Sequence, residues 1–301
     1  MNNLKTNKQL GADIMLMIVT LAWGLSYVAM AICLEEMTPL VLCAFRFVIG
    51  FLLVVALTFP KLKGMTKASI KYGAMIGAVL TVVYITVSYG VKYTSASNAG
   101  FVCALTVIIT PILAFFINHE KPGKKLFVVL VMCMVGIAMM TLNEELKPAL
   151  GDILCAITAV AYAVQMLLTE HAVKQEEVNA FHVGVLQLGF TGLFMTILAF
   201  IFSTPTLPQS SNTWMIVIFL AVFCTALSFV VQPIAQQYTS ATHVGIIYAL
   251  EPVFSAIAAF FIAGEVLLPR AYVGAALMLA GTFLMELNVE SLFKKKDSDA
   301  E

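Results

Sequence analysis

Two charged residues sit deep inside apolar runs of this chain, Glu251 and Arg46. Glu251 lies near the middle of a run over 243–264, where an ionised carboxylate in a bilayer costs ~3 kcal/mol or more. Two chemistries would justify that cost. The carboxyl can carry a proton and so link solute movement to a pH gradient, or it can be the counter-ion of an ammonium group. The structural alternative is a carboxyl that stays protonated or satisfies helix backbone. Pro252 follows directly, and a proline removes a donor and frees carbonyls in the preceding turn. Arg46 lies within a run over 38–59. Its guanidinium can snorkel toward headgroups, pair with Glu251, hold a substrate carboxylate bidentately, or serve structure alone.

Polar and aromatic side chains recur at helical spacing around these charges. Thr20, Trp23 and Tyr27 share one face, as do Thr81, Tyr84 and Ser88, then Thr158, Tyr162 and Gln165, then Thr225, Ser228 and Gln232. Rings with a polar edge suit a solute that is part polar and part apolar, and they attract ammonium groups. Trp23, Tyr27, Tyr84, Tyr162, Gln165 and Tyr248 are therefore candidate substrate-binding residues. Tyr72, Tyr93, Tyr238 and Tyr272 lie nearer the run ends and read as interfacial anchors. The bland reading of the threonines is that they return hydrogen bonds to their own helix or glue helices together.

The elements that must position these groups follow from composition. The chain is 61% hydrophobic and 11% charged, with mean hydropathy +0.96, outside the globular range. A bilayer core takes about 20 helical residues. Ten runs qualify: roughly 11–33, 38–59, 70–91, 97–118, 124–142, 151–169, 178–202, 213–233, 243–264 and 269–288. No alternating strands of the membrane-barrel kind occur. The polar start and the long first run exclude a cleavable signal. Six cysteines are scattered singly, with no metal-like or paired spacing, and read as small apolar packers. Lysines and arginines favour one set of connections thirteen to three, which puts both termini in the cytoplasm.

The chain also repeats itself. Residues 93–120 return as 238–265, with 13 of 28 paired positions identical. Five runs per half is odd, so the second copy must cross the membrane inverted. Inverted halves make two packings of similar energy, one open to each face. At the repeat offset, Cys103, Thr106 and Thr110 pair with Tyr248, Glu251 and Ser255, two stripes that would meet across the pseudo-twofold axis. This adds Thr106 to the candidate lining. Asp13 and Asp152 begin the first run of each half, with Trp23 and Tyr162 ten residues on. Asn98 and His243 occupy equivalent run ends and are candidate gates, though a histidine there is commonly just solvated. Pro111 and Pro252 lie inside runs, as hinges or as fixed kinks.

The chain resembles the ten-helix EamA type of the drug/metabolite transporter superfamily over essentially its whole length. The resemblance rests on Trp23-Gly24, Ala44-Phe45-Arg46-Phe47, Tyr93-Thr94-Ser95-Ala96-Ser97 leading to Pro111, Leu250-Glu251-Pro252 and Gly264-Glu265. It implies export or exchange of small metabolites, often amino acids, through a central cavity lined by both halves. The family carries the glutamate and the arginine whatever the substrate, which the resemblance reads as structure or gating.

The expectation is an all-α integral membrane protein of ten transmembrane helices. Its parts are a cytoplasmic tail (1–10), two inverted five-helix repeats (11–145 and 146–288) and a charged cytoplasmic tail (289–301). It is a multi-pass protein of the cytoplasmic membrane, a secondary transporter of an amino acid or related solute by alternating access, and an exporter. The alternatives are a passive facilitator or channel, or a membrane scaffold. An enzyme is not expected: the four histidines are dispersed, and no HExxH or GxSxG motif occurs. No cofactor, metal or nucleic acid is expected. The partners are a small-molecule substrate, protons and the lipid bilayer, and a monomer suffices.

Overall fold

The computed structural model describes residues 2–94, 96–118, 123–141, 150–254, 257 and 269–286. Among these, all regular structure is helical. α1 (Asn2–Glu36) absorbs most of the stretch read as an N-terminal tail. α2 (Pro39–Thr58) starts with a Thr38 cap and a proline in its first turn, the position where the missing N–H is not needed. α3 (Lys67–Tyr93) follows a Thr66 cap that accepts from the Ser69 N–H. α4 (Ala96–Ala104) and α5 (Thr106–Asn118) share one apolar run, and α6 (Lys124–Thr141) closes the first half.

The second half opens with α7 (Leu150–Val173) and α8 (Ala180–Phe202). α9 (Ser211–Ala221) passes through a π-helical turn (Val222–Leu227) into α10 (Ser228–Gln236). α11 (Ala241–Tyr248) and α12 (Pro269–Glu286) complete the described helices. Six stretches have the length and apolarity to cross a bilayer: Lys8–Glu36, Pro39–Leu62, Lys67–Tyr93, Leu150–Val173, Ala180–Phe202 and Ser211–Gln236. Val102–Ile117, Ala241–Phe254 and Pro269–Met285 are shorter apolar helices. The exterior is as oily as the interior: Phe200 and Phe202 are each 71% exposed, which fits lipid as the outer solvent and not water. Residues 142–149, Ser255, Glu265 and the tail 289–301 lie outside the described residues.

The halves interleave. α3 packs on α7 and α8, while the span of α9, the π-helical turn and α10 packs on α1 and α2, the same relation with the halves exchanged. α2 meets α8, and α6 meets α12, each helix against its own counterpart. Close approach depends on missing side chains. A Cβ on Gly151 would fall 2.6 Å from the Thr94 nitrogen, and one on Gly136 would fall 2.7 Å from the Gly274 carbonyl oxygen. Without hydrophobic drive between helices in lipid, such contacts carry the packing.

Candidate functional site

One cavity gathers side chains from both halves. It encloses about 720 Å³ of atom-free space, its mouth included. α1 contributes Trp23, Ser26, Tyr27 and Met30; α2 Arg46; α3 Val83, Tyr84 and Val87. α4 and α5 contribute Cys103, Ala104, Thr106 and Val107, α7 Thr158 and Tyr162, and α10 Phe229. Gly245, Tyr248, Ala249 and Glu251 supply the last wall.

That wall and its counterpart are built the same way. The helix of the first half is interrupted at Leu105, and that of the second at Ala249–Leu250, after which the chain is helical again over 251–254. The Leu105 N–H donates to Val102 O at 3.2 Å, and the Leu250 N–H to Ile247 O at 3.1 Å. After each break, Leu105 O accepts from Ile108 (3.0 Å) and Ile109 (3.1 Å), and Leu250 O accepts from Val253 (3.0 Å) and Phe254 (3.1 Å). Every one of these atoms has its equivalent at the repeat offset. Thr106 and Glu251 open the second segment of each crossing, beside the cavity. Interrupted helices at matching positions of two halves mark solute sites in membrane transporters.

The aromatic wall centres on Trp23. Its ring lies 4.8 Å from Tyr248, 5.5 Å from Phe229 and 5.7 Å from Tyr162. Tyr162 and Tyr248 stack at 6.2 Å with 11° between planes, and Tyr84 stands edge-on to Phe229 at 5.7 Å. The indole is fixed from behind, because Trp23 Nε1 donates to the Cys224 carbonyl at 2.9 Å. Cys224 belongs to the π-helical turn, where Thr225 and Ser228 hydroxyls donate to the carbonyls of Leu220 and Phe223, five residues back. The turn also receives Arg46, whose Nε donates to Thr225 Oγ1 at 3.1 Å. Insertions of this kind recur at functional sites.

Of the residues expected to bind substrate, Trp23, Tyr27, Tyr84, Thr106, Tyr162, Tyr248 and Glu251 line the cavity, and Arg46 joins them. Gln165 is not part of that lining. It is fully buried in an amide cluster, donating to Gln187 Oε1 at 3.2 Å and accepting from Gln232 Nε2 at 3.0 Å. Gln187 in turn donates to the Phe229 carbonyl at 2.6 Å. Arg46 is 1% exposed and does not snorkel. It is not within ion-pair distance of Glu251 either: the ion pairs among the described residues are Lys174–Glu170 and Asp13–His243. Thr106 behaves as the bland reading has it, donating to Cys103 O at 2.7 Å and to Ala159 O at 3.2 Å. Phe229 and the π-helical turn were not singled out from sequence. Phe229 could have been, since it lies at the repeat offset from Tyr84.

The gating candidates divide. His243 Nε2 lies 3.2 Å from Asp13 Oδ1, joining the start of α11 to α1. Beside it Glu170 Oε2 accepts the Ala241 N–H at 2.8 Å, and Glu170 Oε1 pairs with Lys174 at 2.5 Å. At the opposite end, Asp152 accepts from Thr94 Oγ1 at 2.6 Å, joining α7 to the turn before α4. The two aspartates are repeat equivalents. The side chain of Asn98 lies outside the described residues. Pro111 sits buried inside α5, and Pro252 follows the break before Glu251.

Two interleaved helical halves share one cavity, and the family that the chain matches makes it a membrane transporter of the drug/metabolite type. The EamA-like transporter family model matches residues 10–142 and again 149–287, and the chain belongs to that family. It is similar to an uncharacterized transporter of Archaeoglobus fulgidus, 25% identical over 94% of this chain and 88% of that one. The uncharacterized transporter YetK of Bacillus subtilis is 24% identical over 97% of this chain and 90% of its own length. A solved crystal structure superposes with a TM-score of 0.76 at 17% identity, covering 94% of this chain and 98% of its own, which is likeness of fold.

Proposed function

We propose that this chain is a proton-coupled secondary transporter that exports an amino acid or a related small solute by alternating access. It would act in the cytoplasmic membrane, with both termini inside and a monomer as the working unit. The observation that carries this reading is the pair of matched breaks. Each half places an interrupted helix against the same cavity, and one of the two carries the carboxyl of Glu251, with Tyr27 lining the same space.

The ends of the bundle fit the same scheme. Asp13 with His243 would latch the cytoplasmic end, and Asp152 with Thr94 the external end. The cavity residues of α1 and α3 fall in the outward halves of those helices. With the termini inside, the glutamine cluster and the Asp13–His243 contact would fill the cytoplasmic side below them, and this supports reading the described arrangement as one of the two packings.

The test is uptake into proteoliposomes of labelled amino acids, purines and organic cations, with and without an imposed pH gradient. Saturable, gradient-driven uptake of an amino acid is expected. Uptake that saturates but ignores the gradient leaves a facilitator. Passage of the whole panel without saturation makes the protein a channel, and no passage makes it a scaffold.

A further inference from the structure

We infer that Arg46 is the docking point for a carboxylate on the transported solute, which makes the substrate a zwitterion held between Arg46 and Glu251. The inference rests on the proposed transport reading of this cavity and narrows it. Three observations converge on Arg46. Its guanidinium is oriented from two sides, by the hydrogen bond from Nε to Thr225 Oγ1 at 3.1 Å and by the Tyr84 ring, whose centroid lies 5.1 Å from Cζ. Its Nη1 is buried and has no hydrogen-bond partner. No carboxylate of a described residue pairs with it within 4.0 Å.

A buried guanidinium with an unsatisfied nitrogen is costly unless something completes its shell. The fork of N–H groups matches a carboxylate bidentately, which a point cation would not do. The hydroxyls of Tyr162 and Tyr248, which line the same cavity, are also buried without hydrogen-bond partners, so the cavity offers spare polar atoms beside its rings. Glu251 lines the same space. An inorganic anion would satisfy Arg46 and make no use of the Glu251 carboxyl. An organic cation would satisfy Glu251 and leave Arg46 open. A neutral nucleobase would neutralise neither. One solute carrying both charges satisfies both, with its body against Trp23.

The test is a matched ligand series on the full-length purified protein. Alanine, leucine and phenylalanine are each presented as the free amino acid and as the carboxamide, which keeps ammonium and body and removes the anion. Binding is read from Trp23 fluorescence in a Trp214→Phe background, since Trp214 packs on Phe45 away from the cavity. At least one free acid should bind about ten- to a hundredfold tighter than its amide, the range of a hydrogen bond to a charged group. Arg46→Gln should erase that ratio by weakening the acid and sparing the amide, and Arg46→Lys should restore part of it. Equal weakening of acid and amide in Arg46→Gln would make Arg46 structural and overturn the inference. So would a wild type that binds acid and amide alike, a result that leaves the transport reading standing. If no member of the series binds, the amino-acid reading of the cavity falls with it. Should Arg46→Gln fail to fold, the wild-type ratio of acid to amide decides alone.

Discussion

The two interrupted crossings share their backbone and differ in their side chains. Hydrogen bond for hydrogen bond, the break at Leu105 matches the break at Leu250. Yet the first crossing brings Cys103, Thr106 and Val107 to the cavity, and the second brings Tyr248 and Glu251. Two lessons follow. The break does not need a proline, because Val107 occupies the place that Pro252 holds in the other copy. The shape of the site is therefore a property both halves share, and its chemistry is a property of one. On the proposed reading, an inverted pair would supply the alternation of access, and a carboxyl in a single half would give that alternation something to couple to.

Four variants press on this comparison. Glu251→Gln has the largest effect: gradient-driven uptake in proteoliposomes should fall to the rate seen with no gradient, while the Tm of the purified protein holds. Loss of Tm together with uptake would make the carboxyl structural. Trp23→Ala comes next, because the indole contacts the rings of Tyr162, Phe229 and Tyr248. The three ring contacts hold the cavity wall and their loss should lower the Tm, while the indole's own contact with the solute, worth about 0.5–1.5 kcal/mol, should raise the KM for uptake up to about tenfold. A normal KM would place the solute elsewhere.

Thr106→Val tests the position equivalent to Glu251. It removes a hydrogen bond that holds the first crossing to α7 through Ala159 O, worth ~1 kcal/mol. Uptake should drop a few-fold and keep its response to the gradient. Pro252→Val is the smallest and separates shape from sequence. If the first copy breaks without proline, the second should too, with a stability change of at most about 1 kcal/mol from added chain entropy in the unfolded state. A large loss of Tm in a thermal melt would show that the two breaks have different causes.

Much of this was legible in the sequence, and the reasons for the rest are physical. The offset of the 93–120 repeat pairs Thr106 with Glu251, and the common ten-residue step from Asp13 to Trp23 and from Asp152 to Tyr162 puts those two rings on equivalent helices. The breaks themselves were invisible. Leu105 and Leu250 are ordinary helix formers, and hydropathy records apolar length without recording which carbonyl a given N–H finds. The π-helical turn was hidden for a similar reason: the stripe of Thr225 and Ser228 reads alike whether their hydroxyls face a cavity or reach back to Leu220 and Phe223. Gln165 was placed in the lining because its stripe is right. Its true partner, Gln187, comes from α8, whose alignment with α2 is weak, so nothing in the spacing brought the two amides together. Phe229 has no polar atom to draw attention in an apolar run.

The central claim is that two structurally equivalent crossings are functionally unequal, with coupling confined to the one bearing Glu251. Its most direct test measures gradient-driven uptake and gradient-free exchange of one labelled substrate side by side, in Glu251→Gln and Thr106→Val proteoliposomes. At saturating substrate the account predicts that Glu251→Gln abolishes the driven component and keeps exchange, with the KM raised by the lost ammonium contact, while Thr106→Val lowers both in the same proportion. Equal losses of driven uptake and exchange in Glu251→Gln, or uncoupling by Thr106→Val, would contradict it.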